Sequence, residues 1–291
     1  MLWFLPALLF SFGFAGYLLA NQHFRISAHM MVLWRALGCF LLMCPIVPFL
    51  HWPENPHYYV IIAAMGIIAG VYERQTYDVA ALGFAGGLSR LLGLTVLISF
   101  LIWVVISPAM RQDYMDHPMH AAQAVLSMLV CIVGLFWMQQ TPLDARLLRA
   151  VAPIILLRGI VDVLNKLAME SAGPDFAAML CVYIWWLALW AAGTTLVINK
   201  ITTRKFLPEN PFQRRLMKPA IIMTFLLCGL MLAKGAAMRL APNPAYVTAT
   251  GLLSALWVLL YHRIKNIPDP SHLWAGILIV LGTLGLVLAH G

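Results

Sequence analysis

Five cationic side chains fall within long apolar stretches of this chain: Arg35, Arg90, Arg158, Lys166 and Lys234. Only Glu73 and Asp162 oppose them there. A charge at the centre of a membrane helix costs about 2.5–3.5 kcal/mol on insertion scales, so it faces a partner, a bundle interior or a wet cavity. A net-positive interior calls for an anion to neutralise it. The chemistry on offer is recognition without bond making. A guanidinium fork holds two carboxylate or phosphate oxygens at once, and an ammonium acts as a point charge.

Arg158, Asp162 and Lys166 recur at i, i+4 and i+8, which places them in one stripe on a helix face. Two arrangements suit that stripe. In one, Asp162 neutralises a neighbour within the helix while Lys166 reaches the interface. In the other, Asp162 holds Arg158 and surplus positive charge faces a cavity. Arg90, flanked by Leu88, Leu91 and Leu92, is too deep to snorkel and looks either to a ligand or to Asp78, Glu73 or Asp162. Lys234 sits between Ala233 and Gly235, small residues that admit a second backbone or a ligand. Arg35 divides between helix packing and substrate contact. Glu73, beside Arg74 near a helix end, reads as an interfacial ion pair or as a proton carrier. The expected binding set is therefore Arg35, Arg90, Arg158, Asp162, Lys166 and Lys234, with Glu73 as the candidate for proton coupling.

Other chemistries find little support. His117, His120, His262 and His272 fall in loops without metal-ligand spacing, and no Gly-x-Ser-x-Gly elbow, phosphate loop or DDxxD pattern occurs. No catalytic residue, cofactor or metal is expected, and the chain is not read as an enzyme. The five cysteines lie in apolar segments without a CxxC pair and read as small buried hydrophobes. Trp185, Trp186 and Trp190 fit an interfacial belt or a packed face.

The elements that must position these residues follow from composition. Of 291 residues, 62% are hydrophobic and 10% charged. Soluble domains carry about 25% charged residues, which excludes an ordinary globular fold. Spans need roughly 20 apolar residues. Ten are expected: 2–20, 29–50, 58–75, 80–106, 121–137, 150–169, 177–198, 219–240, 245–261 and 273–290. The opening residues lack the basic region of a cleavable signal, so the first segment is kept as a membrane helix. A net charge of +8 fits basic loops beside anionic lipid better than nucleic acid.

Twelve basic residues fall in the odd-numbered connections, six of them between Asn199 and Lys218, against Arg111 and Arg239 in the even ones. The positive-inside rule then makes the odd connections cytoplasmic and both chain ends external. Compact loops and short tails suggest a bacterial inner membrane. An internal repeat at an offset of 165 aligns Asp78–Leu91 with Asn243–Leu256, matching Ala80 with Ala245, Gly86 with Gly251 and Ser89 with Ser254. Five helices per half is an odd number, so the halves, 1–140 and 148–291, are inverted repeats.

The sequence resembles the drug/metabolite transporter superfamily, specifically its ten-helix EamA-type members. The residues that carry the resemblance are Leu33-Trp34-Arg35-Ala36, the run Ala237–Val247 between the eighth and ninth segments, and Tyr77–Leu82 between the third and fourth. Asn165-Lys166 at the end of the sixth segment and Gly276, Gly282 and Gly285 in the last are also similar. The resemblance covers essentially the whole chain. It implies alternating access around a cavity lined by segments 1, 3, 4, 6, 8 and 9, and cytoplasmic chain ends.

The expected protein is all-α and polytopic, with ten transmembrane helices in two inverted five-helix repeats. Its expected work is secondary transport of a small organic anion, such as a phosphorylated or carboxylated metabolite. The alternative is a membrane-embedded transferase or flippase-like protein acting on a lipid-linked phosphate. A non-transporting assembly subunit would instead pair every buried charge internally. Expected partners are the anion and membrane lipid, with no nucleic acid, in a monomer or homodimer.

Overall fold

A computed structural model describes residues 2–24, 28–79, 91–138, 145–207, 214–267 and 272–289. Helices dominate them and no strand occurs among them. In chain order they are α1 (Phe4–Phe24), α2 (Ala28–Met43), α3 (Pro56–Val79), α4 (Thr95–Ile106), α5 (Pro108–Asp116), α6 (Pro118–Met138), α7 (Ala145–Ser171), α8 (Phe176–Thr203), α9 (Arg214–Leu240), α10 (Pro244–Gly251), α11 (Leu253–Ile264) and α12 (Leu273–Ala289). Among the described residues six helical stretches are long and apolar enough to cross a bilayer, or seven if α4 and α5 form one bent span. α3 and α7 have the length, at 24 and 27 residues, but carry the internal charges. The chain is a multi-pass α-helical membrane protein.

Local chemistry sets the breaks. Ser107 precedes Pro108, which disfavours helical geometry at Ser107. Its extended backbone turns α5 by 97° from α4, and its hydroxyl accepts from Met110 N at 3.3 Å. α5 therefore forms within the expected connection between the fourth and fifth segments. Asp175 caps α8 by accepting from Ala178 N at 3.0 Å, after a turn in which Gly173 takes φ +82°. Asn243 caps α10 by accepting from Ala245 N at 2.9 Å, with Pro244 in the first turn.

Two segments differ from expectation. α3 continues to Val79, past the expected end at Gln75, so Glu73 lies inside the helix. The ninth segment divides at Gly251 and Leu252 into α10 and α11. Residues 80–90 lie outside the described set, and with them Arg90, most of the first repeat copy and the start of the fourth segment. The expected boundary between halves, near 140, also lies outside it.

Helix packing follows small residues. Gly66 and Gly70 of α3 form a G-x-x-x-G face against α8. A Cβ at Gly66 would stand 2.6 Å from Trp190 Cβ and 2.9 Å from the Leu187 carbonyl. α6 lies along α12, where a Cβ at Gly282 would meet the Ser127 carbonyl at 2.5 Å. α1 packs on α9, α10 and α11; α3 on α7 and α8; α2 on α8 and α9; and α4 on α7 and α10.

Candidate functional site

α1, α2, α3, α7, α8 and α9 surround a cavity of about 310 Å³. Each helix presents one face to it, as helical periodicity requires. From α7 come Arg158, Val161 and Asn165, at i, i+3 and i+7. From α9 come Leu227, Leu230, Met231 and Lys234, and from α2 come Arg35, Ala36 and Cys39. α3 contributes Tyr72, Glu73 and Thr76 among others, and α8 contributes Tyr183. Of the segments implied by the resemblance, the first, third, sixth and eighth line the cavity. The second and seventh do so as well, and the fourth and ninth contribute nothing among the described residues.

α1 supplies a rail of rings that the expected binding set does not include. Phe10, Phe14 and Tyr17 recur at i, i+4 and i+7, with Phe10 and Phe14 stacked at 6.0 Å and Phe14 and Tyr17 at 6.4 Å. A cation stands over each. Lys234 Nζ is 5.6 Å from the Phe10 centroid, Arg158 Cζ 5.9 Å from Phe14, and Arg35 Cζ 5.8 Å from Tyr17. Such contacts add about 0.5–2 kcal/mol and leave the hydrogen-bonding edge of the cation free. The visible signal was the aromatic spacing along a segment with no charge of its own.

The cations differ in their partners. Arg35 is buried; it donates to the Tyr17 hydroxyl and forms an ion pair with Glu73. Glu73 is thus neutralised from α2, which lets α3 continue beyond it inside the bundle. Lys234 lies 2.6 Å from Asp162, whose side chain has no exposure, and Thr248 Oγ1 donates to the other carboxylate oxygen at 2.8 Å. Lys166 does not line the cavity. It lies 3.0 Å from Glu170, donates to the Arg239 carbonyl at 3.4 Å and stands 6.0 Å from the Trp103 ring. Arg158 lines the cavity with no hydrogen bond and no ion pair to any described residue; the Phe14 ring is its charge-stabilising neighbour.

The expected single stripe is therefore divided. At 3.6 residues per turn, each step of four overshoots by about 40°, so Lys166 lies about 80° around α7 from Arg158. That rotation takes Asp162 to α9 and α10, and Lys166 to the packed helix end.

The cavity reaches Asn21 and Thr76 in the last turns of α1 and α3, the end from which the odd connections emerge. The opposite end is packed. Tyr58 donates to the Met179 carbonyl, Trp103 Nε1 to the Pro242 carbonyl at 3.0 Å and Trp186 Nε1 to the Tyr59 carbonyl at 2.9 Å. Tyr114 and Tyr246 share a hydrogen bond at 2.6 Å. Trp185 packs between Phe40 and Trp52, with centroids at 5.3 and 5.6 Å. His117 and His120 stack at 5.3 Å at this packed end, with His117 Nδ1 3.4 Å from Asp113, away from the cavity. No group of three or more metal-ligating side chains stands together among the described residues.

No protein-family model matches the chain. No curated protein matches it either. Twenty-three chains of solved structure do match. One, described only as a crystal structure of a protein, superposes with a TM-score of 0.64 at 15% identity, covering 99% of this chain and 97% of its own. The likeness is one of fold.

Proposed function

We propose that the protein is a secondary transporter of the EamA type, moving a small organic anion by alternating access. The observation that carries this reading is Arg158: a guanidinium without a described counter-ion, facing a cavity bounded by helices from both halves of the chain. A fixed positive charge there favours an anion over a neutral solute and over an empty dry interior.

The packing supports an arrangement of ten spans in two inverted halves. Exchanging the halves turns α1 on α9 into α7 on α3, α3 on α8 into α9 on α2, and α4 on α7 into the α10–α11 pair on α1. The pairings of α2 with α8, α6 with α12 and α4 with α10 map onto themselves. A pseudo-twofold of this kind allows the same residues to close either end in turn. Here the end served by the even connections is sealed and the cavity reaches toward the other. With the basic connections on the cytoplasmic side, this conformation faces inward.

The transferase alternative calls for convergent acid, base or metal-binding groups at the cavity mouth, and the only histidine pair noted above stands at the sealed end. Reconstitution into liposomes tests the proposal directly. Uptake of labelled carboxylates and phosphate esters by the wild-type protein should fall at least tenfold in Arg158→Gln, and Arg158→Lys should keep part of it. Since Arg158 makes no described ion pair, both variants should unfold close to the wild-type midpoint. Uptake that survives Arg158→Gln unchanged would remove the site.

A further inference from the structure

Asn165 is 2% exposed and lines the same cavity, yet its Oδ1 has no hydrogen-bond partner among the described residues. Buried carboxamides are ordinarily satisfied, and an orphaned acceptor costs as much as a lost hydrogen bond. Its position is defined by Arg158. The two side chains stand at i and i+7 on one face of α7, about 10 Å apart along the axis. Both lean toward the helix N-terminus, so that separation carries into the cavity. Val161 lies between them on α7, and the cavity wall they share is largely apolar, with Phe10 and Phe14 of α1 in it.

The charge count limits the cargo further. Arg35 is cancelled by Glu73, and Lys234 by Asp162 behind it. Among the described residues that line the cavity one positive charge is left over, that of Arg158. A cargo with a single negative charge neutralises it; a dianion would bring an uncompensated charge into the bundle, and a zwitterion would leave Arg158 uncompensated.

Resting on the anion-carrier reading above, we propose that the cargo is a monoanion with an apolar body and a neutral hydrogen-bond donor, a hydroxyl or an amide N–H, at the end remote from its anionic group. Arg158 takes the anion, and a half-turn of the Asn165 carboxamide about χ2 brings Oδ1 to the cavity, where it accepts from the donor. Asn165 then decides which monoanions are carried.

Three probes separate the elements of this proposal: 3-(4-hydroxyphenyl)propionate, 3-phenylpropionate, which lacks only the remote hydroxyl, and phenylsuccinate, a dianion. Binding is measured by calorimetry on the purified protein in nanodiscs. The hydroxylated monoanion should bind about tenfold tighter than its deoxy partner, the expected worth of satisfying one buried acceptor. Phenylsuccinate should bind more weakly than either. Asn165→Leu should abolish the preference for the hydroxyl while leaving the deoxy compound bound at least as well, and Asn165→Ala provides the same readout if the leucine variant does not fold. Equal affinity of the two monoanions for the wild type would overturn the donor assignment, and tighter binding of the dianion would overturn the charge match. Either result leaves the anion carrier standing if Arg158→Gln weakens all three probes. Affinities that Arg158→Gln does not change, or no binding of any probe, would overturn the underlying reading itself.

Discussion

Lys234 Nζ lies 2.6 Å from Asp162 Oδ1, and the carboxylate has no exposed surface. Thr248 closes its remaining oxygen, so three helices, α7, α9 and α10, meet at one charge. Removing one member of a buried pair strands the other and costs about 3–5 kcal/mol. Asp162→Asn should therefore lower the unfolding midpoint in detergent markedly. Adding Lys234→Met to it should restore most of the loss, because no charge is then stranded. A single variant as stable as the wild type would show that the pair does not hold these helices together.

Glu73 and Arg35 pair across α3 and α2 at the edge of the cavity. A proton on Glu73 would release Arg35 and raise the surplus positive charge facing the proposed cargo from one to two; the charge match to a monoanion argued above is that of the cavity with Glu73 ionised. Proton and anion binding would then favour each other. The expected outcome is anion uptake driven by an inward-directed proton gradient. In Glu73→Gln the gradient should lose its effect while exchange of anion across the membrane continues. Gradient-driven accumulation persisting in that variant would exclude Glu73 as the coupling site.

Cys39 of α2 and Cys228 of α9 are free thiols with Sγ atoms 3.2 Å apart. In the proposed inverted-repeat arrangement they belong to different halves, so a covalent link would tether the bodies whose relative motion alternating access requires. Copper phenanthroline should oxidise the pair to an intramolecular disulfide, seen as loss of two hydrogens from the intact chain. Uptake should stop and return with dithiothreitol, and Cys39→Ser should be insensitive. Full activity of the cross-linked protein would argue that α2 and α9 move as one body.

The connection between Asn199 and Lys218 carries six basic residues, and Arg74 of α3 donates to Thr202 at its edge, at 3.1 Å. By the positive-inside rule this connection is expected on the cytoplasmic side. A cysteine introduced at Lys205 should resist an impermeant maleimide in intact cells and react after permeabilisation. Reaction in intact cells would invert the topology and make the described conformation outward-facing.

The sequence alone determined that this chain lives in a bilayer, because 62% hydrophobic residues in span-length runs admit no other solvent. It also located the buried charges and placed Arg158 on the same helix as Asp162, Lys166 and Asn165. Helical period fixes which residues share a face but not which face meets which neighbour. That was decided in three dimensions. Glu73 chose Arg35 across 38 residues, Asp162 chose Lys234 across 72, and Lys166 turned to Glu170 at the packed end. Arg158 was left as the uncancelled charge, and Asn165, which the sequence marked only by resemblance, became the orphaned acceptor two turns along the same helix. Such pairings act over a few ångströms between residues remote in the chain, so only packing could assign them.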